Sequence, residues 1–258
     1  MTRRLALEGI ENFRDFGGYH TAAGRRLKAG RLYRSASHGR ATDADLEALA
    51  ALGIAVIVDL RRKGERVRDP SRRHPGFAGE LIFNDSGEDA EDGWIAQVSR
   101  SDLSAASFRD YMFRYYREAP FVDRHVDLYA RYFDALTRTE GPILIHCAAG
   151  KDRTGILAAL THHLAGVHED DIIADYLLTN DPERMDRRLP LVAEAIGAIA
   201  GRAPSESAVR MAMGVEAVYL ETAFSAIVER YGDIDTYLEQ ALGVDAARRE
   251  ALHARLLE

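Results

Sequence analysis

The chain is 258 residues long, 47% hydrophobic and 29% charged, with a formal net charge of −7. That length buries a full core as one large domain, or one domain with an appendage, and the acidic balance argues against a general nucleic-acid binder. No apolar run approaches the roughly eighteen residues of a membrane span, and the single cysteine, Cys147, excludes an internal disulfide and a four-cysteine metal site.

The first eight residues lack the apolar core of a secretory signal, so the expected location is the cytoplasm. Asn12-Phe-Arg-Asp-Phe-Gly-Gly-Tyr19 is turn-rich and reads as a structural clamp against a sheet rather than a substrate contact. Residues 31–35 predict a first strand. Thr42 predicts an N-cap for a helix over 43–52, with Leu46, Leu49 and Leu52 as its stripe and Gly53 ending it. Residues 54–60 are almost continuously apolar, the mark of a strand covered on both faces. In open α/β sheets ligands bind beyond the carboxyl ends of strands, which makes Asp59 and Arg61 candidates for supporting a site. Asp59 is expected to be buried and paired with an arginine. Arg62 and Lys63 read equally well as a solvated turn.

Residues 80–83 predict another strand. The polar, acidic, glycine-containing segment 85–102, with Trp94 as its one large anchor, is expected to be a mobile loop near a site mouth. Phe108, Tyr111, Met112 and Tyr115 form one helical stripe, and Val122, Val126, Tyr129, Phe133 and Leu136 form the next; both read as core. Gly141-Pro142 turns the chain into a short strand that ends at His146-Cys147. After the helix that follows, a mostly helical tail carries a stripe of Leu189, Val192, Ile196 and Ile199, a break at 201–205, a helix to about Tyr231, and short helices over 234–242 and 245–257. His162, His163 and His168 read as surface or satisfied polar groups rather than metal ligands.

The stretch from His146 to Thr154 carries the chemistry. Cys147 and Arg153 bracket Ala148, Ala149, Gly150, Lys151 and Asp152 in a loop that opens a helix near Thr154. Successive backbone amides in such a loop converge as an anion-binding nest, and the helix N-terminus adds positive partial charge. Arg153 offers a planar fork matched to two phosphoryl oxygens. A cysteine at the floor of that field is expected as the thiolate, a nucleophile aimed at phosphorus. Lys151, one of only three lysines, adds a cation that favours substrates with more than one phosphate.

His146-Cys147-x5-Arg153-Thr154 resembles the signature of cysteine-dependent protein tyrosine phosphatases. The Lys151-Asp152 pair before the arginine is similar to the atypical bacterial branch, which acts on phosphotyrosine and phosphoinositides. Blocks at 12–19, 30–36 and 52–61 with Glu65 extend the likeness over the first two-thirds of the chain. The resemblance implies a single α/β domain over 1–258. Its central, mostly parallel sheet has four to five helix-flanked strands, and a helical lid lies at 182–214. It implies Asp152 as general acid and then base, with Asp85 as a second candidate if its loop folds over the site. Thr154 would donate to the thiolate, and His146 would orient the loop through a hydrogen bond. The implied substrate is a phosphorylated protein or a phosphoinositide, the product inorganic phosphate, and no metal or organic cofactor is required. Export without a classical signal is compatible with the family. The competing readings are a rhodanese-like sulfurtransferase, which also seats a cysteine on a loop before a helix, and a non-catalytic phosphate-binding module.

Overall fold

Side chains along the central strands alternate between two cores. Leu32, Val56, Val58, Ile143 and Ile145 face one core, while Tyr33, Ile57 and Leu144 face the other. This two-residue period is what a pleated sheet covered on both faces requires. In the computed structural model, which describes residues 5–86 and 93–258, the sheet has five strands: β1 (Arg14–Asp15), β2 (Leu32–Ser35), β3 (Val56–Asp59), β4 (Glu80–Ile82) and β5 (Ile143–His146). Their order is β1-β2-β5-β3-β4, with β1 antiparallel to β2 and the other pairs parallel. In this register Ser35 and Asp59 both lie opposite His146. Three strand ends therefore stop in one row, and the loop after His146 leaves from the middle of it.

One face of the sheet carries helix α1 (Asp43–Ala51), whose Leu46 and Leu49 join the smaller core. Thr42 caps it: its hydroxyl accepts from the Asp45 amide, and its own amide donates to the Asp45 carboxylate. The short helix α2 (Lys63–Arg68) follows β3. The other face carries the larger core. There α6 (Asp152–Ala165) is buried along nearly its whole length among α4 (Ala105–Glu118), α5 (Asp123–Arg138), α7 (Glu169–Leu177), α10 (Ala217–Tyr231), α11 (Ile234–Gln240) and α12 (Ala246–Leu256).

A third apolar cluster lies apart from the sheet. It joins α3 (Gly93–Arg100) and α4 to α8 (Pro182–Ala200) and α9 (Glu206–Met213), through Val98, Phe108, Ile196, Val209 and Met213 among others. The segment expected as a loop over 85–102 is therefore corrected: residues 93–100 are helical, because Trp94 and Val98, one turn apart, find an apolar partner surface. Val98 is fully buried, and Trp94 stacks on Phe108 at 5.4 Å. Residues 87–92 of that segment lie outside the described residues. Among the described residues no single helix is long and apolar enough to cross a membrane.

Candidate active site

The loop from Cys147 to Lys151 is held from outside by its carbonyls. The Ser37 amide donates to the Ala148 carbonyl at 3.1 Å. Asn12 Nδ2 donates to the carbonyls of Gly150 at 2.8 Å and Ala149 at 3.4 Å, and Arg34 adds a bond to Gly150 at 3.1 Å. With three successive carbonyls turned outward, the amides of Ala148 to Lys151 donate to no protein acceptor among the described residues. This is the arrangement of an anion nest. Gly150 has φ +66°, and a Cβ there would fall 2.4 Å from the Ser35 carbonyl oxygen. Only glycine fits a left-handed turn pressed against a strand end.

Behind the clamp is a buried ion cluster. Asp175 on α7 accepts from Arg14 at 3.2 Å and from Arg34 at 2.7 Å. Arg14 also donates to Asn12 Oδ1 at 2.5 Å, which turns the amide end of Asn12 towards Gly150. Burial opposes ionisation of Asp175, but the two guanidiniums outweigh it and hold its carboxyl well below the usual range.

Arg153, in the first turn of α6, is gripped by Glu65 of α2. Its two terminal nitrogens donate to the two carboxylate oxygens at 2.6 and 2.7 Å, and one also reaches the Leu60 carbonyl at 3.1 Å. Burial alone would lower the Arg153 value; Glu65, with the nearby Cys147, raises it well above the ordinary one. Asp152, the first residue of α6, keeps its carboxylate one-fifth exposed beside this cation. Cys147 is buried at the end of β5.

The match to a tyrosine phosphatase family model runs from residue 5 to residue 258, through every element just described. The chain belongs to the tyrosine phosphatase family. A protein of Cupriavidus necator with a provisional tyrosine-protein phosphatase name is 34% identical over 95% of this chain and 86% of its own length. The triple specificity protein phosphatase PtpB of Mycobacterium tuberculosis is 32% identical over 97% of this chain and 98% of its own length. A tyrosine-protein phosphatase of Nostoc commune is 28% identical over 89% of this chain and 75% of its own length. The protein is a phosphoric monoester hydrolase of this family, and its substrates are phosphorylated.

Other residues of this phosphatase sit where the sequence does not place them. The helix after the loop begins at Asp152, not near Thr154, which puts a carboxylate on the first turn where the helix dipole favours it. Lys151 does not point freely into the site: its ammonium donates to the carbonyls of Ala212 at 2.7 Å and Gly214 at 3.2 Å, at the end of α9, and lies 3.6 Å from Asp152. The Thr154 hydroxyl is fully buried and forms no hydrogen bond, to Cys147 or to any other described residue. The ring nitrogens of His146 also make none. The ring instead stacks on His38 at 4.6 Å with Nε2 3.6 Å from Asp59, so it supports the strand end by packing.

Asp59 is buried and takes paired bonds from Arg61 at 2.9 and 2.8 Å. Burial opposes ionisation there, and His146 with Arg61 brings the carboxyl down to about 2. Asp85 is paired with Arg66, whose guanidinium lies 4.2 Å over the Phe83 ring.

Several participants are not singled out individually by the sequence. Tyr115 packs half-buried against the edge of the larger core, within reach of the charges of Arg153, Asp152 and Cys147. Tyr116, next along α4, carries the buried stripe instead. Asn12, Arg34 and Asp175 lie far apart in sequence and meet only in the fold. The partial signal for Asn12 is its residue type, which tolerates the left-handed backbone it adopts here at φ 57°, within the turn-rich opening block.

Proposed function

We propose that the enzyme hydrolyses phosphotyrosine in proteins through a phosphocysteine intermediate. The observation that carries the reading is the outward clamping of the Ala148, Ala149 and Gly150 carbonyls above Cys147, with Arg153 locked by Glu65 at the rim. In the first step Cys147 Sγ attacks phosphorus in line and the P–O ester bond breaks. The departing oxygen takes a proton from Asp152 while the loop amides and Arg153 hold the equatorial oxygens. In the second step Asp152 removes a proton from water, the new P–O bond forms, the S–P bond breaks, and inorganic phosphate leaves with the thiolate restored. Most of the barrier reduction comes from positioning and charge stabilisation.

The 182–214 region is proposed as a lid. Its helices α8 and α9 share a core of their own with α3, and Lys151 ties the end of α9 to the catalytic loop. A phosphoinositide or other substrate with several phosphates would draw Lys151 away from Ala212 and Gly214, so acceptance of such substrates is coupled to release of that tie.

The test is phosphate release from a small aryl phosphate, then from a phosphotyrosine peptide and soluble phosphoinositides in parallel. Cys147→Ser abolishes turnover on all of them while leaving binding of orthophosphate intact. Turnover surviving in that variant would remove Cys147 as the nucleophile.

A further inference from the structure

Asp152 Oδ1 accepts a hydrogen bond from the Tyr116 hydroxyl at 2.9 Å, and the Tyr116 oxygen lies 2.6 Å from the Tyr176 hydroxyl. Each tyrosine has one proton. With the Tyr116 proton given to Asp152, the contact between the two phenols requires Tyr176 to be the donor, so the chain runs Tyr176 to Tyr116 to Asp152. Burial, then the charge of Asp152, pushes both phenols well above their ordinary values, so they remain neutral donors. Neither ring has room to swing. Tyr116 stacks on Tyr219 at 5.6 Å and meets Tyr176 at a steep angle. Tyr176 sits so close to Gly155 that a Cβ there would be 2.9 Å from its ring.

We propose that Tyr116, backed by Tyr176, is a positioning residue that ties Oδ1 of Asp152 and reserves Oδ2 as the oxygen that exchanges the catalytic proton. This rests on the reading of Asp152 as general acid and base. A proton placed on Oδ1 would weaken that oxygen as the acceptor for Tyr116. Turned towards Tyr116, it would force both hydroxyls to reverse and leave the Tyr176 proton without an acceptor among the described residues. A proton on Oδ2 leaves the chain intact. The groups facing Asp152 are Tyr115 and Tyr116 from α4, Tyr176 from α7, and Lys151 and Arg153 beside it. Lys151 also approaches Oδ1, so Tyr116 and Lys151 fall on the same oxygen. In the first step the Oδ2 proton passes to the ester oxygen as the P–O bond breaks. In the second, a water proton returns to Oδ2.

The experiment compares kcat/KM for phenyl phosphate, whose leaving group needs the proton, with 4-nitrophenyl phosphate, whose leaving group needs it far less. Orthophosphate inhibition is measured alongside. Tyr116→Phe is expected to lower the phenyl phosphate value about tenfold to a hundredfold, the scale of one hydrogen bond to a charged group. The 4-nitrophenyl value should fall less than about threefold, and orthophosphate inhibition should stay within about twofold. Tyr176→Phe gives the same pattern with a smaller amplitude, and it serves if Tyr116→Phe folds poorly. In an Asp152→Asn background either tyrosine change should have no further effect on the ratio of the two substrates. A steep ratio for Asp152→Asn with a flat one for both tyrosine variants overturns the positioning role alone. A flat ratio for Asp152→Asn itself overturns the acid reading and the positioning role together. Equal losses on both substrates with weakened orthophosphate inhibition would mark the tyrosines as merely structural.

Discussion

Glu65 and Arg153 meet fork to fork, with both guanidinium ends on both carboxylate oxygens at 2.6 and 2.7 Å. The pair joins the helix after β3 to the helix after β5 across the strand ends. It fixes the plane of the guanidinium proposed to hold the phosphoryl group. Catalysis by positioning depends on that plane.

Glu65→Gln should therefore leave the fold in place but free the guanidinium to rotate. The expected outcome is a loss of about tenfold to a hundredfold in kcat/KM on 4-nitrophenyl phosphate, with weaker orthophosphate inhibition. Steady-state kinetics of the purified variant checks it. An unchanged inhibition constant would show that Arg153 is oriented without Glu65.

Asp175 balances two buried arginines. Asp175→Asn leaves Arg14 and Arg34 buried beside a neutral group and should cost about 3 to 5 kcal/mol. That corresponds to a melting temperature lower by roughly 10 °C for a chain of this size. Asn12→Ala, which removes the amide grip on Gly150 and Ala149 together with an acceptor for Arg14, should cost about 1 to 3 kcal/mol. Its clearer signature is weaker orthophosphate binding. Calorimetry with and without orthophosphate separates the two.

Lys151→Met cuts the tie between the loop and the end of α9 while keeping the stem of the side chain. The carbonyls of Ala212 and Gly214 lose their donor. Amide hydrogen exchange in α9 should speed up by about tenfold or more, with α6 unchanged. Exchange unchanged in α9 would mean that its own apolar core holds the region closed.

Stability should fall as the solution is made acidic, and the fall should begin above the carboxylate range. His125 is fully buried on α5. Burial, then Arg124 and Arg153, pushes its ring down to about 3, while its Nδ1 bonds the Ala119 carbonyl at 2.8 Å. The unfolded chain binds this proton more readily than the folded one. Stability from the neutral ring is thus fully present above about pH 6.5 and is lost from there down to about pH 3, at about 1.4 kcal/mol per pH unit. His38, His146 and His162 are displaced in the same direction, first of all by burial. Below about pH 4 the depressed carboxyls of Asp59, Glu65 and Asp175 add their loss, since each is more acidic folded than unfolded. Urea midpoints at pH 7.5, 6 and 5 check the sign. A midpoint that does not move across this range contradicts it.

The elements themselves were largely legible. A continuous apolar run marked β3, Thr42 as an N-cap marked the start of α1, and the break from Gly201 marked the end of α8. The loop from Cys147 to Arg153 was legible because its residues are contiguous. What escaped depends on neighbours distant in sequence. Tyr115 and Tyr116 share one helix, and which of them faced the core was decided by α7 and α10 packing against α4. The charge of Lys151 suggests a second phosphate, and nothing in the sequence shows that the end of α9, 61 residues further on, accepts from the same ammonium. Helix α3 was hidden because its acidic, glycine-containing surroundings outweighed a two-residue apolar pattern, and its partner surface is supplied by α4 and α8.

The most direct test of the account is an acid quench during turnover of a phosphotyrosine peptide, with mass spectrometry to locate any covalently bound phosphate. Phosphate is expected on Cys147 in the active enzyme, more of it in Asp152→Asn as hydrolysis of the intermediate slows, and none in Cys147→Ser. Steady turnover with no phosphate ever found on Cys147, or turnover that survives its replacement by serine, would contradict it.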